Sequence, residues 1–300
     1  MFARAWGECL GKIQCEDPAT RVEAAWSLAG ENAPRQVHVF PRDERLPGED
    51  DYQPCVSSEA EAALAGLRSA VPAGLGEFRF NEVVPWGEEV LDCILVSPEE
   101  WWLGRHWAVS NPARCVGGAM PTAAPPNMVS RAYLKMAEAL AWSGLPIEPG
   151  QRAAEIGSSP GGACQVLLEH GLHVWGIDPA EMHEAVLKHP RFTHIRKRAK
   201  DMKRREFQNI RWLMADANVA PNYTLDTVEA IVTHASVRIR GLLLTLKLGQ
   251  WKLAQELPGW LERVRSWGYR QVKARQLAHN RREICVAALR SGKFAEYSAG

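Results

Sequence analysis

A glycine-rich turn is the most specific short motif in this sequence. Residues 157–162 (GSSPGG) follow a strand-like segment that ends at Ile156 and precede a helix-like segment that begins at Ala163. Glycines let the backbone approach a ligand without a Cβ clash, and the N-terminus of the following helix presents free N–H groups. The spacing differs from the Gly-x-Gly-x-x-Gly of dinucleotide sites. We therefore expect a cofactor site here, with S-adenosylmethionine favoured over NAD.

An acid ends the next strand-like segment. Asp178 follows Val-Trp-Gly-Ile, at the position where a carboxylate accepts two hydrogen bonds from a ribose diol. Asp178 can also cap a helix at 180–188, and the two roles are compatible. A second charged residue suited to catalysis is Lys247, which ends the apolar run 241–246. A lysine in a strand that a parallel sheet buries needs a partner or a shifted pKa.

The elements that must position these residues alternate between strand and helix. Strand-like segments lie at 153–156, 174–177, 194–196, 212–215, 242–247 and 284–289. Helix-like segments lie at 130–142, with Ser130 as its cap, and at 163–170, 180–188, 224–238 and 252–267. This alternation predicts an α/β fold with a Rossmann-like, doubly wound and mainly parallel sheet. Ligands bind such sheets at the carboxyl ends of the strands.

The charge is divided unevenly along the chain. Residues 1–120 carry 10 Lys and Arg against 19 Asp and Glu, whereas residues 121–300 carry 26 against 16. We therefore expect an acidic N-terminal domain (1–120) and a basic catalytic domain (121–300) that is attracted to polyanions. Strand-like segments at 37–40, 93–96 and 100–108 and a helix-like segment at 59–69 make the smaller domain α+β. The polar stretch 41–54 predicts a loop, and the Gly- and Pro-rich stretch 111–127 predicts the linker.

The segment from Ser130 to Leu289, just over half of the chain, resembles the FtsJ-like ribose 2′-O-methyltransferases. It is most similar to the RlmM-type branch, which methylates a cytidine ribose in large-subunit ribosomal RNA. The stretches that carry the resemblance are 130–135 (SRAYLK), 157–162, 177–178, 209–216 (NIRWLMAD), 244–248 (LTLKL) and 274–283 (ARQLAHNRRE).

The resemblance implies a catalytic tetrad and a cofactor. The family's Lys-Asp-Lys-Glu set recurs here as Lys135, Asp216, Lys247 and Glu283. It also implies S-adenosylmethionine contacts at Ser130, Glu155, Gly157, Ser159, Pro160, Gly161, Gly162, Asp178 and Asp216. The 2′-hydroxyl is a weak nucleophile, so Lys247 is expected to act as general base with a pKa lowered toward about 7–8. Lys135 is the neighbouring cation that favours neutral Lys247, and the two acids hold the ammonium groups.

The stretch after the third strand departs from the family pattern. Residues 197–199 offer no carboxylate for the adenine, so either Asp201 or backbone groups replace it. Residues 195–211 hold eight Lys or Arg against two acids, which is typical of a solvated helix or of a phosphate-binding loop. Beside a ribose-modifying site we favour RNA phosphate contacts. The expected contact residues are Arg196, Lys197, Arg198, Lys203, Arg204 and Arg205.

The rest of the chain is less informative. The resemblance implies a reduced THUMP-like RNA-binding unit in the N-terminal domain, and the alternative is an accessory unit that orients the substrate. Trp101, Trp102 and Trp107 are candidates for base stacking. Seven cysteines without a Cys-x-x-Cys pair argue against disulfides and a zinc site, so no metal is expected. The chain has no signal-peptide core and no bilayer-spanning run, which predicts a cytoplasmic, monomeric protein.

Three functions stay open from the sequence. The leading hypothesis is S-adenosylmethionine-dependent 2′-O-methylation of RNA, with ribosomal RNA or a large-subunit precursor as partner. The second is a methyltransferase that acts on a non-RNA acceptor. The third is an RNA-binding or ribosome-assembly factor that keeps the fold without turnover.

Overall fold

The chain forms two compact units, which are described separately. A computed structural model describes residues 3–43 and 54–297. One unit spans Thr122–Ala295, and the other runs to Pro121 and also takes the chain's last residues from Glu296. In the latter, the Tyr297 N–H donates to Asn111 Oδ1 at 2.8 Å. No helix within the described residues is long and apolar enough to cross a bilayer.

The N-terminal unit is a mixed sheet with two helices. Its strands within the described residues are β1 (Glu8–Gln14), β2 (Gln36–Pro41), β3 (Arg79–Phe80), β4 (Glu89–Leu95) and β5 (Glu100–Trp107), in the order β1-β5-β4-β2-β3. The helices are α1 (Pro18–Ala29) and α2 (Ser58–Ser69). Asp17 and Ser57 cap them by accepting the N–H of Thr20 and Ala60. Alternate residues of β2 and β4 form an apolar core with both helices.

Two sequence-based expectations for this unit are corrected. Trp101 is buried in the core at 3% exposure, so it cannot stack on a base, whereas Trp102 and Trp107 are exposed. The expected linker 111–127 is partly structural: Asn111, Cys115 and Gly117 are buried, and two short 3₁₀ turns lie at Pro112–Arg114 and Val116–Gly118. Most of the expected loop 41–54 lies outside the described residues.

The C-terminal unit is a doubly wound sheet with helices on both faces. Within 122–295 its strands are β6 (Arg152–Ile156), β7 (His173–Ile177), β8 (Phe192–Ile195), β9 (Trp212–Ala215), β10 (Gly241–Lys247), β11 (Gln271–Arg275) and β12 (Glu283–Leu289). Their order is β11-β12-β10-β9-β6-β7-β8, and only β12 is antiparallel to its neighbours. The helices are α3 (Ala132–Ser143), α4 (Gly162–Glu169), α5 (Glu184–Leu187), α6 (Pro221–Val232) and α7 (Leu257–Ser266). The predicted fold class is confirmed.

Some predicted elements differ in extent. The helix expected at 180–188 is the single turn α5, because Asp178 Oδ1 accepts the Ala180 N–H at 2.8 Å and holds the preceding residues in a turn. Strand β11 was not predicted. Ser130 does not cap α3, since the residue that precedes the helix is Arg131 and no side chain caps it.

The parallel strands β6, β7, β9 and β10 present their carboxyl ends at one edge of the sheet. The sheet's core is apolar: the buried side chains of α6, including Leu225, Val228 and Ile231, pack in one cluster with Leu242, Leu244 and Leu246 of β10. Burial of such side chains contributes about 1.5–3 kcal/mol each. This rigid layer fixes the positions of the polar residues at its edge.

Candidate active site

Four charged residues meet at the carboxyl edge of β9 and β10. Asp216 directly follows β9, Lys247 ends β10 and Lys135 lies on α3. Glu283 starts β12, and because β12 runs antiparallel to β10, Glu283 pairs directly with Lys247. The one reversed strand therefore brings the fourth residue to the edge where the parallel strands end.

The four side chains alternate in charge. Lys247 Nζ lies 2.7 Å from Asp216 Oδ1 and 2.6 Å from Glu283 Oε1. Lys135 Nζ lies 2.7 Å from Glu283 Oε2 and 3.6 Å from Asp216 Oδ2. The side chains are 10–21% exposed, so the cluster is largely buried. Two lysines face two acids, so their formal charges cancel. The structure thus brings together all four residues that the resemblance singled out.

The pKa of Lys247 is raised, whereas we expected it to be lowered. Burial lowers it, but the Asp216 and Glu283 carboxylates outweigh burial and raise the pKa above its ordinary value of 10.5. We expected Lys135 to favour the neutral amine. Instead each carboxylate lies between the two ammonium groups, so attraction exceeds repulsion.

A buried carboxylate holds the loop that leads to Glu283. Glu138 lies on α3, one helical turn after Lys135, and is 2% exposed. Its two oxygens accept the N–H groups of Ala278 and His279 at 2.8 and 2.9 Å. One helix therefore carries a tetrad lysine and also anchors the loop before the tetrad glutamate. The sequence analysis missed Glu138, although an acid three residues after Lys135 on a predicted helix was its signal.

Asn280 lies on the same loop and faces the tetrad. Together with Lys135, Asp216 and Thr245 it lines a cavity of about 20 Å³, which is the size of one small polar group or water. Asn280 is 1% exposed, and its Nδ2 has no hydrogen-bond partner among the described residues. An unpaired buried donor costs about 1–3 kcal/mol, so this amide is suited to a group that enters the cavity. Sequence reasoning had no signal for it.

The glycine-rich turn lies beside this cluster. Gly157 has a φ of +81°, and a Cβ there would lie 2.8 Å from the Asp216 carbonyl oxygen. A Cβ on Gly162, the first residue of α4, would lie 2.3 Å from Ser130 Oγ. Larger residues at either position would push the turn away from the strand and helix it contacts. Ser130 Oγ is buried against α4 without a hydrogen-bond partner among the described residues.

The turn is anchored to Asp178. Asp178 Oδ2 accepts the Ser159 N–H at 3.2 Å, and Ser159 Oγ donates to the Glu181 carbonyl at 2.7 Å. The following Pro160 is exposed, and Gly161 is the buried residue before α4. Each Asp178 oxygen keeps a lone pair for a further donor.

Glu155 adds a third carboxylate to this edge. It is buried in β6, accepts a hydrogen bond from Cys164 Sγ at 3.3 Å, and burial together with the charges of Asp216 and Asp178 raises its pKa to about 8. No lysine or arginine of the described chain forms a salt bridge with Glu155 or Asp178. An acidic edge beside free helix N–H groups can hold a ligand that carries a positive charge and polar hydroxyls.

The basic segment after β8 forms two 3₁₀ turns, at Ala199–Asp201 and Arg204–Asn209, instead of an α-helix. Because β8 and β9 run in the same direction, it must return from the carboxyl edge to the amino edge. Lys203 and Arg205 are exposed and take no part in the salt bridges of the tetrad. Asp201 is exposed on the first turn.

Two of the expected RNA-contact arginines already have partners. The Arg204 guanidinium donates to the carbonyl oxygens of Ala199, Met202 and Lys200. Arg196 donates to the Pro179 carbonyl and pairs with Glu181. Lys197 and Arg198 are exposed at the carboxyl end of β8.

Residues 128–261 match the family model of the FtsJ-like methyltransferases. The FtsJ-like resemblance is thus confirmed. The chain is 31% identical over 173 residues to Ribosomal RNA large subunit methyltransferase M from Xanthomonas axonopodis pv. citri (strain 306), covering 55% of this chain and 49% of that protein. The protein of the same name from Laribacter hongkongensis (strain HLHK9) is 29% identical over 205 residues, 64% of this chain and 54% of the relative. The chain therefore spans about half the length of the curated relatives it matches.

Among solved structures, the chain is similar to fibrillarin from Aeropyrum pernix in complex with natively bound S-adenosyl-L-methionine. The TM-score is 0.40 at 15% identity, and the match covers 66% of this chain and 81% of that one.

Proposed function

We propose that this protein transfers a methyl group from S-adenosylmethionine to the 2′-hydroxyl of an RNA ribose, in ribosomal RNA of the large subunit. The observation that carries the proposal is the alternating cluster of Lys135, Asp216, Lys247 and Glu283 beside the glycine-rich turn. The names of the relatives support ribosomal RNA as substrate.

The residues at the acidic edge fit the cofactor. S-adenosylmethionine supplies a methyl group on a positively charged sulfonium. The carboxylates of Asp178 and Asp216 favour that positive charge, whereas Glu155, with a pKa of about 8, is mostly protonated near neutral pH. The Asp178 oxygens are able to accept ribose hydroxyls. The turn at 157–162 leaves room for the ligand backbone, while the first N–H groups of α4 are available as donors.

The tetrad then orients the acceptor and takes its proton. Methyl transfer is an in-line displacement, so the 2′-hydroxyl has to point at the methyl group. Lys247 accepts the hydroxyl proton at Nζ, Glu283 and Asp216 hold both lysines in place, and Lys135 offsets the negative charge of the oxygen. Asn280 Nδ2 donates to the acceptor nucleotide, because it is the unpaired donor in the adjoining cavity.

A methyl-transfer assay on unmodified ribosomal RNA tests the proposal. Tritiated cofactor is incubated with wild type, Lys247→Ala and the control Lys293→Ala, which removes an exposed lysine. We expect label in alkali-resistant dinucleotides, the mark of a 2′-O-methyl ribose, for wild type and the control and none for Lys247→Ala. Label in bases, or full activity of Lys247→Ala, would contradict the proposal. Cofactor binding without any transfer to RNA would favour a non-RNA acceptor.

A further inference from the structure

A cluster of two histidines and one aspartate lies in the N-terminal unit, on the sheet face opposite the apolar core. His38 of β2 pairs directly with Asp92 of β4, and His106 of β5 pairs with Val90 of β4. Because side chains of a strand alternate between faces, Asp92 and Val90 point to the same side, and so do their partners. The three side chains are only 1–8% exposed.

The outer nitrogens of both histidines are held by the backbone. His38 Nε2 lies 3.0 Å from the Glu82 carbonyl oxygen, and His106 Nε2 lies 2.7 Å from the Ala113 carbonyl oxygen. A carbonyl only accepts hydrogen bonds, so each Nε2 carries the hydrogen. Histidines that ligate metals are oriented in this way by a carbonyl at the second nitrogen.

The inner nitrogens converge on one carboxylate. His38 Nδ1 lies 4.0 Å from Asp92 Oδ1, and His106 Nδ1 lies 2.5 Å from Asp92 Oδ2. A proton on His106 Nδ1 satisfies the shorter contact. It leaves His38 Nδ1 and Asp92 Oδ1 facing each other, and both atoms are buried without a hydrogen-bond partner in the described residues. Two buried acceptors that face each other call for a positively charged group between them.

We propose that His38, Asp92 and His106 form a binding site for a divalent transition-metal ion of the zinc class. Their ligand atoms lie within 4.8 Å of one another. Zinc binds His nitrogens and Asp oxygens at about 2.0–2.2 Å, so the 4.0 Å between His38 Nδ1 and Asp92 Oδ1 matches two such bonds. The ion takes the place of the proton on His106 Nδ1, which is released to solvent on binding. The ion would join three strands.

One of the three proposed ligands borders a surface groove. His106 lines a groove of about 450 Å³ in the same unit, together with Ala113, the partner of its Nε2. With three protein ligands, water would complete a four-coordinate site. The sequence analysis expected no metal because it searched for closely spaced cysteines, whereas these ligands are separated along the chain and meet only through strand register.

Cobalt(II) titration of the full-length chain, freed of metal with a chelator, tests the site. We expect one ion per chain, visible d–d bands of a four-coordinate site, and no thiolate-to-cobalt charge transfer in the near ultraviolet. His38→Ala and Asp92→Asn should lose these bands, while His173→Ala, which removes an exposed histidine of the other unit, should retain them. Wild type without visible bands, or variants that bind like wild type, would overturn the proposal.

Two further measurements test the site even if a variant folds poorly: the charge-transfer spectrum of the wild type and the effect of zinc on the melting temperature. A thiolate charge-transfer band in the wild type would assign the ion to cysteines and refute the site. Zinc should raise the melting temperature of wild type and leave that of Asp92→Asn unchanged, since an ion stabilises only the state that binds it. Neither measurement depends on methyl transfer, so the outcome is independent of the proposed activity.

Discussion

At Lys247 the balance between burial and two carboxylates decides the charge of the amine. Asp216 and Glu283 each lie within 2.7 Å of Nζ and raise its pKa. The free protein therefore holds Lys247 as an ammonium ion near neutral pH. A general base must be neutral to accept a proton, so the proposed mechanism requires the small neutral fraction of Lys247.

This balance predicts the pH dependence of the reaction. The neutral fraction of a lysine whose pKa lies above 10.5 increases about tenfold per pH unit below that pKa, so log kcat/KM for RNA should rise with a slope of about one between about pH 6.5 and 9. Initial rates of tritium transfer measure this slope, with cofactor affinity over the same range as the control. A plateau below about pH 8 would assign the proton to a group of lower pKa.

Glu155 makes a prediction about stability. Its pKa rises from the ordinary value of 4.5 to about 8 in the folded protein. The stability that protonated Glu155 contributes is complete below pH 4.5 and is lost as pH rises through about 8. The melting temperature of wild type should fall over this window, and Glu155→Gln should reduce the fall by several degrees. The exposed Glu31→Gln is the matched control, and equal slopes for wild type and Glu155→Gln would refute the assignment.

At the scale of elements, strands β6, β7, β9, β10 and β12 of the C-terminal unit were predictable because each is mainly apolar. Helix α5 and strand β11 were not: the side chain of Asp178 overrides local helix propensity, and the half-buried β11 lacks a clear apolar run. The types and order of the tetrad were also accessible from sequence. Glu138, Asn280 and the His38 cluster were not, because their roles depend on contacts between distant segments.

Helix α3 and the loop before β12 act together through Glu138. Glu138→Gln leaves one carbonyl oxygen for two backbone donors and places an NH₂ group against the other, so the loop with Asn280 and Glu283 should shift. Misplacement by about 1 Å costs on the order of 100-fold in rate. We expect kcat to fall by this order while cofactor Kd changes little. A role in stability alone would lower the melting temperature and leave kcat of the folded protein intact.

Tyr133 and Glu169 supply the control for that experiment. The Tyr133 hydroxyl donates to Glu169 at 2.6 Å on an exposed surface between α3 and α4. Glu169→Gln therefore also alters an α3 contact, yet it does not touch the loop. Its kcat should match that of wild type, which separates loop positioning from general disturbance of α3.

At the scale of the whole molecule, the positive charge of residues 121–300 is not concentrated at the proposed tetrad. The basic segment after β8 crosses back to β9 and packs against α6, with Lys200 Nζ 5.9 Å from the centre of the Tyr223 ring. The Arg204 guanidinium hydrogen-bonds carbonyl oxygens of its own loop. Arg282, next to Glu283, is exposed beside the tetrad. Under the proposed function, we expect RNA at the tetrad to contact Arg282, and only a longer strand to reach Lys203 and Arg205.

Salt titrations separate these two surfaces. Each phosphate contact contributes about −0.7 to the slope of log Kobs against log salt for single-stranded RNA. Lys203→Ala with Arg205→Ala should reduce the slope by about 1.4 with a long RNA and leave it unchanged with a short one. Arg282→Ala should reduce the slope by about 0.7 with both lengths and raise KM for methyl transfer. If neither set of substitutions changes the slope, the RNA phosphates bind elsewhere on the protein. The net negative charge of the N-terminal unit repels RNA, so phosphate contacts there would require a local cationic site.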